Sequence, residues 1–264
     1  MRAFFFRFCA AAFAFAFCIA MCLPVYASEP QFDTPEAVIE AFVVAIAQND
    51  YDAAIALFDA ERVSREYDWE AMVSRIRTYS ANFEFPAPDS IPAFQPLNRR
   101  VWEGRIATLL YRFSASFFLT DGLLGDHYTQ VDEAWLSTYA ERIDPAQLKN
   151  LRIVRIGDPR PADADDEWRE RVNQMLIGQA KPYGADEKLE KLVMYELDDK
   201  HFVGAFSLLR YGDAWVLHSL YSSIMPMGLS VSGVVSTIPV EEAWEYVADK
   251  LEEGGGELFL PRGR

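Results

Sequence analysis

The hydrophobic period changes along this chain, and the changes mark its elements. Thr34-Pro35 is a helix start, with Thr as N-cap and Pro at the first helical position, where its missing N–H costs nothing. Val38, Ile39, Phe42, Val43 and Ile46 then recur at three- and four-residue spacing and predict a helix over about 35–48. Asn49-Asp50 interrupts it before a second short helix containing Ala54, Ile55, Leu57 and Phe58. A third, over about 69–82, carries Met72, Ile76 and Tyr79 on one face, and Pro86, Pro88, Pro92 and Pro96 make a rigid connector. Over 105–119 the period drops to two. Ala107, Leu109, Tyr111, Phe113, Ala115, Phe117 and Leu119 alternate with Thr108, Arg112, Ser114 and Ser116, which predicts a strand with one core face. Residues 131–142 and 165–178 read as helices, 151–156 as a short strand, and 189–197 and 201–210 as longer strands. Tyr211-Gly212-Asp213 turns the chain into a last strand over 214–222. Helices first and long antiparallel strands later predict an α+β domain.

The two ends add different information. Arg2 and Arg7 precede an uncharged apolar run over 8–23, and Val25-Tyr26-Ala27 fits a small-x-small cleavage site before Ser28. The run is shorter than a membrane span and Pro24 breaks it, so residues 1–27 are expected to be a cleaved signal peptide. Cys9, Cys18 and Cys22 all lie in this leader, so the mature chain is expected to be exported, periplasmic or secreted, without disulfides. At the other end, 214–240 carries no formal charge, and Val240, Ala243, Trp244, Val247, Ala248 and Leu251 form a helical stripe that Gly254-Gly255-Gly256 ends. Pro226, Gly228, Gly233 and the serines of this stretch argue against a span, so no stable membrane span is expected after processing.

Charge narrows the partners. The formal net charge is −15, and two of the positive charges leave with the leader. Such a surface repels phosphate backbones and anionic headgroups, which argues against nucleic acid and leaves basic proteins or cationic ligands open, beside a small apolar ligand or a protein as the expected partner.

Chemistry-bearing residues are few. His127 lies in a Gly-rich loop and His201 opens a strand after Asp198-Asp199, so neither is placed for catalysis. His218, within an uncharged strand, could face a cavity, where a neighbouring carboxylate would make it a general base. Asp163, Asp165, Asp166 and Glu167 cluster oxygen ligands but lack the glycine and distal Glu of a calcium loop, and acids at a helix N-terminus explain them. No zinc pair, nucleophile elbow or phosphate-binding loop is present, so neither metal nor cofactor is expected.

The opening, Asp33-Thr34-Pro35-Glu36-Ala37-Val38-Ile39-Glu40-Ala41-Phe42 followed by Asn49-Asp50-Tyr51-Asp52-Ala53-Ala54-Ile55-Ala56-Leu57-Phe58-Asp59, resembles the two-helix start of bacterial NTF2-like proteins. The closing hairpin, 202–210 with Tyr211-Gly212-Asp213 and Trp215-Val216-Leu217, is similar to their last strand pair. The resemblance implies a cone, a curved antiparallel sheet packed on N-terminal helices around an apolar cavity, here over about 33–224. Residues 225–264 are then an appended segment and helix, and inserts at roughly 121–190 exceed a minimal member. Members include isomerases, dehydratases and ligand binders, so the fold alone does not give the activity. The expectation is a non-catalytic binding protein, with a small apolar ligand in the cone or a protein partner on the C-terminal segment. The expected pocket residues are Tyr111, Phe113, Phe117, Phe206, Trp215 and His218. The alternatives are a lyase or isomerase using a cavity acid/base such as His218, and a structural envelope subunit.

Overall fold

The computed structural model describes residues 31–76, 91–118, 143–159 and 164–222, with isolated positions between 133 and 141. From Phe32 onward these belong to one compact unit. The expected leader, the helix over 131–142 for most of its length, the end of the helix over 69–82, and the C-terminal stripe with Trp244 lie outside the described residues.

Local chemistry starts each N-terminal helix. Thr34 Oγ1 accepts from the Ala37 N–H at 3.2 Å and opens α1, Pro35–Ala47. Its expected apolar stripe, Val38, Ile39, Phe42, Val43 and Ile46, is buried. Asn49 takes a left-handed φ of 56°, after which Asp50 caps α2, Tyr51–Ala56. Asp59, also left-handed, caps α3, Ala60–Glu66, and pairs with Arg62 at 2.9 Å. Asp68 accepts from the Ala71 N–H at 2.8 Å, at the start of α4, Trp69–Ile76.

The next element departs from the sequence expectation. Residues 105–116, expected in a strand, belong to a long helix, α5, Gln95–Ser116. Its buried stripe is Trp102, Ile106, Leu110 and Phe113, continued by Phe117, at helical spacing. Apolar residues are so dense here that they satisfy both periods at once. Polar pairs upstream favour the helix: Glu103 accepts from Arg99 and from Arg100, each at 2.8 Å and one turn away. Tyr111, placed on the core face by a strand, is 56% exposed on the helix.

Four strands complete the domain: β1, Arg152–Gly157; β2, Glu187–Leu197; β3, Lys200–Tyr211; and β4, Ala214–Ser219. They pair antiparallel in chain order. Between β1 and β2 lies α6, Asp166–Ala180, where the Asp165 carboxylate accepts from the Trp168 N–H at 2.6 Å. Asp165 is therefore a capping residue, with Asp166 and Glu167 in the first turn, where the macrodipole favours them. Two-residue turns join β2 to β3 and β3 to β4, each starting with a left-handed residue, Asp198 at 54° and Gly212 at 61°.

An aromatic cluster joins helices to sheet. The Phe42 ring meets Phe113 at 5.3 Å and Phe206 at 5.5 Å between centroids, both edge-on. Phe113 continues to Tyr195 at 5.7 Å, and Phe117 packs on Phe202 at 4.8 Å. Edge-to-face rings add to the burial energy of each side chain. The architecture is α+β, an antiparallel sheet with α1 and α5 packed against it through this cluster.

Candidate functional site

The site begins with a break in the β3–β4 ladder. Leu208 pairs with Leu217, but Ser207 pairs with Ser219, so His218 is an extra residue in a bulge. A bulge re-aims the side chain it carries. The His218 ring stacks on Trp102 of α5, with centroids 5.6 Å apart and planes 27° apart, and meets Tyr183 at 4.4 Å. Its Nδ1 lies 3.3 Å from Ser207 Oγ, while Nε2 is buried without a hydrogen-bond partner. Burial holds the imidazole pKa well below its ordinary value, and the charge of Lys188 lowers it further.

Beside it lies a buried polar network. Lys188 and Glu190 both point inward from β2, with Nζ 3.8 Å from the Glu190 carboxylate. Lys188 also donates to Gln179 of α6 at 2.5 Å, and the Ser222 hydroxyl donates to Glu190. A buried charge requires such partners, since an unpaired one is strongly destabilising.

Of these groups His218, Ser207, Lys188 and Gln179 form the floor of a cleft of about 510 Å³, with Glu190 and Ser222 buried behind Lys188. One face of α5 supplies a wall through Trp102, Arg105, Leu109 and Arg112, at intervals of three and four residues. Arg75 of α4 adds a further cation. With Lys188, four basic side chains line the cleft, and no carboxylate does among the described residues. The charges lining the cleft are therefore opposite in sign to the net charge of the chain.

The expected pocket residues separate. His218 lines the cleft. Phe113, Phe117 and Phe206 lie in the solid aromatic core, and Trp215 is buried with the Arg210 guanidinium 5.9 Å over its ring. Tyr111 lines a different, apolar slot of about 360 Å³ on another face of α5, with Leu110, Ser114, Phe118 and Leu148. Arg105 and Arg112 were not anticipated, and the signal that could have found them is the helical spacing 102, 105, 109, 112. His201 is half-buried, 3.7 Å from Glu196 and outside the cleft lining. Among the described residues, no group of three His, Cys, Asp or Glu side chains gathers to hold a metal, and no helix is long and apolar enough to cross a membrane.

No protein-family model matches the sequence, and no curated protein does either. Among solved structures, a cystatin-like protein from Ruminococcus gnavus ATCC 29149 is similar, with 15% identity and a TM-score of 0.47. The match covers 83% of this chain and 44% of that one, so the chain spans less than half the length of its neighbour.

Proposed function

We propose that this chain is an exported, non-catalytic binding protein whose cleft takes a small amphipathic anion. The observation that carries the proposal is the gathering of Arg75, Arg105, Arg112 and Lys188 around one cleft in a chain with 40 acidic and 25 basic residues. Charges of one sign in a low-dielectric cleft focus the field and raise the local concentration of a counter-charged ligand. Trp102, Tyr183 and Leu109 supply apolar surface beside the cations, so the ligand is flat or aliphatic with an anionic end. The reading keeps the small ligand expected from the sequence and adds an anionic end to its apolar body.

The packing of α1 and α5 on an antiparallel sheet supports a cone-type arrangement of the NTF2-like kind. A lyase or isomerase would call for a carboxylate against His218; Nδ1 instead faces the Ser207 hydroxyl. Saturation-transfer NMR of the full-length protein with a panel of aryl carboxylates, aryl phosphates and their neutral amide or ester counterparts tests the proposal. Signals confined to the anions are expected. Equal signals from the neutral counterparts, or none from any compound, contradict it.

A further inference from the structure

We propose that His218 fixes an oxygen of the ligand's anionic end, acting as a neutral imidazole donor held in the Nε2–H tautomer by Ser207. The inference rests on the proposed anion site and names the atom that reads the ligand.

Three observations carry it. His218 is 6% exposed, and its Nε2 is the ring nitrogen left without a partner. A buried polar atom of this kind is costly unless something that enters the cleft satisfies it. Ser207 is 1% exposed, and its hydroxyl meets Nδ1. With no other acceptor for that hydroxyl among the described residues, its proton goes to Nδ1, which places the ring proton on Nε2. The opposite assignment would strand a sealed hydroxyl proton and present a lone pair to an anion.

The ring is also fixed in place. Trp102 stacks on one side, the Tyr183 ring meets it from another, and the β4 bulge sets its root. The charged groups around it are Lys188 from β2, paired with the buried Glu190 at 3.8 Å, Arg75 from α4, and Arg105 and Arg112 from α5. Arg105 and Arg112 are seven residues apart, about 10 Å along the helix, so they spread charge along the wall. They supply attraction, and the sealed imidazole supplies position. Carboxylate and phosphate oxygens share the acceptor chemistry that this donor requires, and the flat Trp102 surface suits an aryl body.

Nitrogen-15 NMR of the imidazole rings in the full-length protein tests the tautomer directly, because the chain has only three histidines and the His218→Gln spectrum identifies the third. The Nε2–H form is expected at pH 7, and Ser207→Ala should weaken that preference. Benzoate and phenyl phosphate are then titrated. His218→Gln, whose amide nitrogen reaches near the Nε2 position, should retain affinity within about threefold, whereas His218→Phe, which keeps the stacking and loses the donor, should lose about tenfold to a hundredfold. A tighter response to one of the two probes identifies the ligand as a carboxylate or a phosphate. An Nδ1–H tautomer, or undiminished binding by a folded His218→Phe, overturns the inference and leaves the anion site standing. Failure of the wild-type protein to bind either probe overturns both.

Discussion

Phe113→Ala and Tyr111→Ala, made separately, distinguish the helical α5 from the strand that its alternation suggests. On a strand the two side chains share a face and would cost alike on deletion. On α5 they part. Phe113 is 3% exposed, and its ring meets those of Phe42, Phe117, Tyr195 and Phe206 at 5.1 to 6.5 Å. Emptying that position removes a whole ring from a core with little freedom to collapse, at a cost of about 3–5 kcal/mol, with the aromatic neighbours favouring the upper end. Tyr111 is 56% exposed, and its truncation should cost about 1 kcal/mol or less. Urea unfolding followed by tryptophan fluorescence, with thermal melts alongside, measures both. Phe113→Ala should lower the Tm by at least about 6 °C and Tyr111→Ala by no more than about 4 °C. Near-equal losses would refute the helical assignment and the cleft wall built on it.

A Cβ on Gly204 would stand 2.9 Å from Tyr195 Cε2, whereas one on Gly104 in α5 meets nothing within 4 Å. Gly204→Ala should therefore destabilise by about 1–3 kcal/mol and Gly104→Ala stabilise by about 0.5–1 kcal/mol, both read from urea midpoints. His218 has a depressed folded pKa, so below an unfolded value of about 6.5 the unfolded chain binds the extra proton. Stability is then fully present above that pH and is lost as pH falls toward the folded pKa; unfolding at pH 7.5 and 5.0 should show a smaller loss in His218→Gln than in wild type. N-terminal sequencing of exported protein should begin at Ser28, and recovery of an intact form starting at Met1 would contradict the leader assignment.

The sequence carried the helix starts and the turns most clearly, because each depends on a few neighbouring atoms. Thr34-Pro35 and Asn49-Asp50 announce α1 and α2, and Gly212 announces the last hairpin, through capping and left-handed backbone that act within four residues. The segment over 105–116 was misleading because its apolar residues fit a period of two as well as one of 3.6. Tertiary packing on Phe42 and Tyr195, and the Arg99–Glu103 pair upstream of this segment, decide between them. That alternation hides the α5 wall of the cleft, since Trp102, Arg105 and Arg112 come together on one face only on a helix. Lys188 and Glu190 were hidden differently. In Glu187-Lys188-Leu189-Glu190-Lys191 the charges look like a solvated strand end, yet Lys188 and Glu190 turn inward while Glu187 pairs with Arg210 and Lys191 with Glu36. His218 alone of the cleft floor was legible, as a histidine in an uncharged strand.

Calorimetric titration of the full-length protein with benzoate and with benzamide, at low and at physiological salt, tests the anion cleft most directly. The account predicts saturable one-site binding of benzoate that weakens as salt rises, weakens again by about tenfold or more in Arg105→Ala/Arg112→Ala, and exceeds the affinity for benzamide. Equal binding of the neutral amide, or benzoate affinity unchanged by salt and by loss of both arginines, would contradict it.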